Sequence, residues 1–141
     1  MLTHSRKSAS SDAGRDIDER QNVSEKLTEV LSTTIGRESA WQPAYADGIR
    51  TGDTEWLVEP NDDSTFSSGV WRVLPGDAPE KWEFNFESDE MFHVVEGKLE
   101  IDIIDGDTRV YGAGDVALVP GGTKSYFRIV EAPFKKVFMS V

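Results

Sequence analysis

Two histidines and no cysteine limit the chemistry open to this chain. Disulfides, thiolate metal sites and a cysteine nucleophile are excluded. His4 lies in a polar N-terminal stretch, which leaves His93 as the one histidine in a segment able to fold. A three-histidine metal centre is therefore impossible by count. No Ser–His–Asp set can be assembled either, because no nucleophile elbow accompanies His93. Gly112-Ala113-Gly114 precedes a strand pattern and not a helix, so it does not read as a phosphate-cradling loop. What remains is carboxylate, hydroxyl and ammonium chemistry beside aromatic rings. Trp82, Phe84 and Phe86 alternate with Glu83 and Asn85, and Glu90 follows. His93 stands three residues beyond Glu90, which puts the two on opposite faces of a strand. A carboxylate placed among rings is desolvated, the condition under which it serves as a general acid or base.

The elements that must position these residues begin after a polar tail. Residues 1–21 carry too little apolar surface to offset their ordering entropy and are expected to be disordered. Val23, Leu27, Val30, Leu31 and Ile35 fall at helical spacing, with Ser24 or Asn22 to start and Gly36 to stop. They predict a short amphipathic helix over 22–36 that covers one end of the domain. Residues 40–141 read as β-structure. Strands are expected at Ile49–Glu59, Gly69–Leu74, Trp82–Phe86, Glu90–Val95 and Lys98–Ile104, then at Arg109–Tyr111, Val116–Val119, Lys124–Val130 and Phe134–Val141. Gly97 is expected to turn the chain between two strands, Asp105-Gly106-Asp107 to make a hairpin, and Pro120-Gly121-Gly122 to end a strand. A succession of about ten short strands with no βαβ alternation predicts an all-β sandwich or barrel.

Composition sets the remaining bounds. A chain of 141 residues suits one domain, and its 38% hydrophobic content supports a core of ordinary size. The formal charge of −11, from 26 acidic and 15 basic residues, repels phosphate backbones and anionic membranes. No nucleic-acid or membrane partner is expected; otherwise this charge reads as a solubility feature. There is no charged start followed by an apolar run, and no apolar stretch near the ~20 residues of a membrane helix. A cytoplasmic protein is expected.

Two segments resemble the paired motifs of the cupin superfamily. Lys81 to Gly97 ends on an acidic residue, six residues and a glycine (Glu90 to Gly97). Gly112 to Gly122 contains glycine, five residues, proline, one residue and glycine (Gly114, Pro120, Gly122). With Gly69-Val70-Trp71 and Pro133-Phe134-Lys135-Lys136, the stretch from Ser67 to Val141 is similar to small single-domain cupins of the ureidoglycine aminohydrolase and ethanolamine-utilisation branch. The resemblance implies a double-stranded β-helix, or jelly-roll barrel, with Glu90 facing its interior near Trp71, Phe84 and Phe92. Metal-binding cupins place two histidines and a glutamate in the first motif and a third histidine in the second. That third position falls at Ser125 here. The first two fall at Phe84 and Phe86, at Trp82 and Phe84, or at Glu83 and Asn85, according to register. Either aromatic register gives a pocket without a metal. The third gives Glu83, Asn85 and Glu90, an oxygen set suited to a hard cation.

The functional expectation is a small-molecule-binding cupin without metal or other cofactor. Glu90 is its acid–base residue for an isomerisation, elimination or cyclisation. Trp71, Trp82, Phe84, Phe92, Ser125, Phe127 and Lys136 are the expected ligand contacts. Several have plainer readings: Trp71 as core filler, Ser125 as a small core residue, and Lys136 or Lys135 as a solvated edge lysine in place of a contact to a carboxylate substrate or a partner of Glu90. His93 reads as a packed or interface residue. The alternative function is a non-catalytic sensing or assembly protein, and a further one is an aminohydrolase-like enzyme with oxygen ligands to a metal. A homodimer is expected in either of the first two cases.

Overall fold

The computed structural model describes residues 30–33, 41–62 and 66–141. Its eight strands are β1 (Gln42–Ala46), β2 (Ile49–Val58), β3 (Ser67–Val73), β4 (Trp82–Asn85), β5 (Glu90–Ile103), β6 (Thr108–Gly112), β7 (Val116–Val119) and β8 (Lys124–Ser140). All pairings are antiparallel, in the order β1-β2-β3-β8-β5-β6, with β4 on β8 and β7 on β5. The expected all-β jelly roll is the fold observed. Among the described residues no helix is long and apolar enough to cross a membrane.

The two long strands organise the barrel. The first part of β5 and the last part of β8 pair with each other between β7 and β3. The second part of β5 and the first part of β8 pair between β6 and β4. Each strand therefore belongs to both halves of the barrel. The bend lies where the β5–β8 register shifts, between Val94 and Leu99.

Gly97 makes that bend possible. Its φ is +79°, and an added Cβ would lie 2.4 Å from the Pro133 carbonyl oxygen and 2.6 Å from that of Glu131. The expectation of positive φ at Gly97 holds, but the expectation of a turn does not. Gly97 bulges within one strand, so Glu90–Val95 and Lys98–Ile104 are continuous. Lys124–Val130 and Phe134–Val141 likewise join as β8. The opposite omission is β1, which Pro43 and its polar start conceal. Asp47-Gly48, with φ of +50° and +79°, turns it into β2. Of the expected helix over 22–36, only Val30–Thr33 are described. They are not helical, and Val30 is 89% exposed where the periodicity placed it on a packed face. Thr33 instead donates its hydroxyl to Glu55 Oε2 on β2. The rest of that helix and the tail lie outside the described residues.

Strand alternation builds the core. Leu99, Ile101 and Phe127 meet from β5 and β8 and are almost wholly buried, with Phe134 and Val94 beyond the bend. Burying each such side chain contributes on the order of 1.5–3 kcal/mol. The outer face of β2 and β3 is polar. Asp53 accepts from Arg50 (2.6 Å) and Arg72 (3.0 Å), and the Arg50 guanidinium is raised above its ordinary range chiefly by that hydrogen bond.

Candidate functional site

The inner face of β3, β8 and β5 is laid out in cross-strand rows. Ser67, Ser140 and Glu90 stand opposite one another, as do Gly69, Phe138 and Phe92, and then Trp71, Lys136 and Val94. On β2, Thr54 extends the row of Trp71 and Trp56 extends that of Gly69. This face forms one wall of a cleft of about 680 Å³, and β1, β4 and Phe127 complete its lining. Three of the chain's four tryptophans, Trp56, Trp71 and Trp82, line it.

Glu90 and Lys136 sit at the floor of this cleft. Lys136 Nζ donates to Glu90 Oε2 at 2.6 Å, and the two residues are 3% and 8% exposed. The ammonium also lies 4.6 Å from the Phe92 ring centre, 5.3 Å from that of Trp71 and 5.7 Å from that of Phe127. A lysine so placed is held by one carboxylate and by ring faces. Of the readings of Lys136 as solvated, as a contact to a carboxylate substrate or as the partner of Glu90, the geometry is that of the last. Lys135 points away from the cleft and pairs with Glu96 at 3.4 Å.

The first-motif register is the aromatic one. Trp82 and Phe86 are buried, Phe84 is half-buried against them, and Phe84 stacks on Phe127 with centroids 4.6 Å apart. Trp71 packs edge-on to Trp82 and Phe134 and donates its indole N–H to the Thr51 carbonyl at 2.7 Å, which fixes the ring. Trp71, Trp82, Phe84, Phe127, Glu90 and Lys136 all line the cleft. Phe92 and Ser125 do not. Phe92 lies beneath Lys136 and edge-on to Tyr111, and Ser125 donates its hydroxyl to the Phe84 carbonyl at 2.7 Å. Ser125 thus ties β8 to β4, the plainer of its two readings. His93 is exposed on the outer face, opposite Val116 and Val137.

Sequence reasoning missed Thr51, Thr54, Trp56, Ser67, Phe138 and Ser140. Phe138 and Ser140 were within reach, because they continue the alternation of Phe134 and Lys136. The β2 residues were not, since only the pairing of β2 with β3 brings them beside Trp71.

The donors present do not fit the metal that the cupin likeness implies. Aromatic carbons and the committed Ser125 hydroxyl occupy the three positions matching histidines, and an ammonium occupies one oxygen of Glu90. Glu83 and Asn85 are exposed, with Asn85 Nδ2 donating to Glu83 Oε2 at 3.2 Å, so the oxygen set with Glu90 does not assemble. Among the described residues no group of three or more His, Cys, Asp or Glu is placed to hold a metal ion.

Comparison with known proteins agrees with this architecture. The uncharacterized protein YdbB of Bacillus subtilis (strain 168) is 45% identical over 53 residues, which are 35% of this chain and 47% of that protein. The match thus spans less than half the length of that relative. The crystal structure of Fe(II)-HppE with the alternative substrate (S)-1-HPP is similar in fold over 81% of this chain and 60% of its own, with a TM-score of 0.61 at 15% identity. The conserved SPY1581 protein of Streptococcus pyogenes covers 62% of this chain and 71% of its own, with a TM-score of 0.50 at 21% identity. Residues 60–138 match the model of the EutQ-like cupin domain. The chain is a member of the EutQ-like cupin domain family.

Proposed function

We propose that this chain binds a small molecule in its barrel cleft without a metal and exchanges a proton with it through Glu90. The observation that carries this reading is the 2.6 Å Lys136–Glu90 pair, buried at the floor of an aromatic cleft of about 680 Å³. Buried ion pairs add little net stability over a well-packed apolar substitute, so their presence at a cavity floor points to a role in the site. In this reading Lys136 orients the carboxylate, the rings hold the apolar part of the ligand, and Glu90 serves as acid–base in an isomerisation, elimination or cyclisation. The test is incubation of the full chain with a metabolite extract in D₂O. Wild type is expected to introduce solvent deuterium into at least one metabolite, and Glu90→Gln, checked for folding by its melting temperature, is expected to introduce none. Equal incorporation by both, or none by wild type, contradicts the reading.

A second reading, assembly as a homodimer, has its own observation. On the outer face, Leu118 stands opposite Met91 and Met91 opposite Met139, and all three are exposed. Val116, 62% exposed, stands opposite His93 in the next row of the same face. A contiguous apolar strip of this kind is the usual mark of a contact surface. Leu118→Lys is expected to convert a dimer to a monomer in sedimentation; an unchanged mass contradicts it.

A further inference from the structure

Glu90 leaves one oxygen uncommitted. Its Oε2 accepts from Lys136, and no other hydrogen bond reaches the carboxylate among the described residues, although the residue is only 8% exposed. Beside it in the same row, Ser140 and Ser67 are buried against the cleft, and their hydroxyls make no hydrogen bond among the described residues. These oxygens are not sealed off but open onto the cleft, where a ligand's polar end can reach them. The charges lining the cleft are unequal. Among the described residues lining it, Asp47, Glu83 and Glu90 stand with one cation, Lys136.

We infer that the cleft selects a small organic cation. Its charged, hydrogen-bond-donating end sits at the free oxygen of Glu90 and the row serines, and its apolar part lies against Trp71, Trp82 and Phe127. This rests on the proposal that the cleft is the ligand site and names the class of ligand. Three physical arguments favour a cation. The acidic rim concentrates positive charge at the mouth. The ring faces already hold the Lys136 ammonium. An incoming anion would have to take Lys136 from Glu90 and leave a buried carboxylate without its partner, which is unfavourable.

Three probes of nearly equal shape separate the outcomes: benzylamine, benzyl alcohol and benzoate. Binding to the full chain is followed by calorimetry and tryptophan fluorescence at neutral pH. Benzylamine is expected to bind about tenfold tighter than benzyl alcohol, with that advantage shrinking as salt is raised, and benzoate not to compete. Asp47→Asn with Glu83→Gln, both on the exposed rim, is expected to reduce the benzylamine advantage about threefold without changing the melting temperature. If the alcohol matches the amine, or benzoate binds tightest, the cation inference is overturned while the ligand-site reading stands. If none of the three binds, the ligand-site reading itself fails.

Discussion

β5 and β8 each run through both halves of the barrel, yet the two halves treat polar groups in opposite ways. In the half where they pair with β6 and β4, the inward residues are Leu99, Ile101 and Phe127, and the buried hydroxyl of Ser125 is committed to a backbone carbonyl. In the half where they pair with β7 and β3, the inward residues include Glu90, Lys136 and Ser140, and the hydrogen-bonding capacity is only partly used. The first half is mostly closed core and reaches the cleft only at Phe127 and β4, whereas the second is a wall of the cleft. The same two strands therefore supply the stability of one region and the cleft-facing chemistry of the other. Polar oxygens that open onto a cleft keep their access to water or a ligand, which is the expected arrangement at a binding site.

Substitution at the bend breaks the comparison most severely. Gly97→Val adds a β-branched side chain at positive φ and overlaps two carbonyl oxygens, so both halves should lose register. A loss of about 4 kcal/mol or more, or failure to fold, is expected in urea unfolding. A loss under 1 kcal/mol would mean that the bend does not depend on this close approach.

Next comes the ion pair that distinguishes the cleft half. Lys136→Met leaves Glu90 buried without its partner and should destabilise the chain by about 3 kcal/mol. Adding Glu90→Leu should recover most of that loss while abolishing ligand binding. If the double variant is less stable than the single one, the pair acts as a structural contact and not as a functional one.

The smallest effects sharpen the comparison most finely, because they alter one hydroxyl in each half. Ser125→Ala removes a satisfied buried hydrogen bond and should destabilise the chain by about 1 kcal/mol without touching benzylamine affinity. Ser140→Ala removes an uncommitted hydroxyl and should change stability by less than about 0.5 kcal/mol while weakening benzylamine about threefold. Interchanged results would place the binding region in the wrong half.

The contrast between the halves was only partly legible in the sequence. Turn chemistry and alternation sufficed for the strands and for the barrel, and alternation put Trp82, Phe84 and Phe86 inward with Glu83 and Asn85 outward. Gly97 was legible as a positive-φ residue but not as a bulge, because the difference depends on what lies across the strand. Pro133 hid the continuity of β8, since proline in a strand interior ordinarily argues against one. The helix expected over 22–36 rested on periodicity and on end signals at Asn22, Ser24 and Gly36; at the described residues Val30–Thr33 the chain is not helical, and Thr33 donates to Glu55. Glu90 and Lys136 were each legible as chemistry-bearing residues. The rows that bring Thr54, Ser67 and Ser140 beside them follow from cross-strand register, which one sequence does not encode locally.

Amide and side-chain NMR spectra of the full chain, recorded during titration with benzylamine, test the central claim most directly. The account predicts shifts concentrated at Thr54, Trp71, Lys136, Ser140 and Glu90, with Leu99, Ile101, Ser125 and Tyr111 unmoved. Shifts centred on the β5–β6 half, or on the outer face around Met91 and Leu118 with the cleft silent, would contradict it.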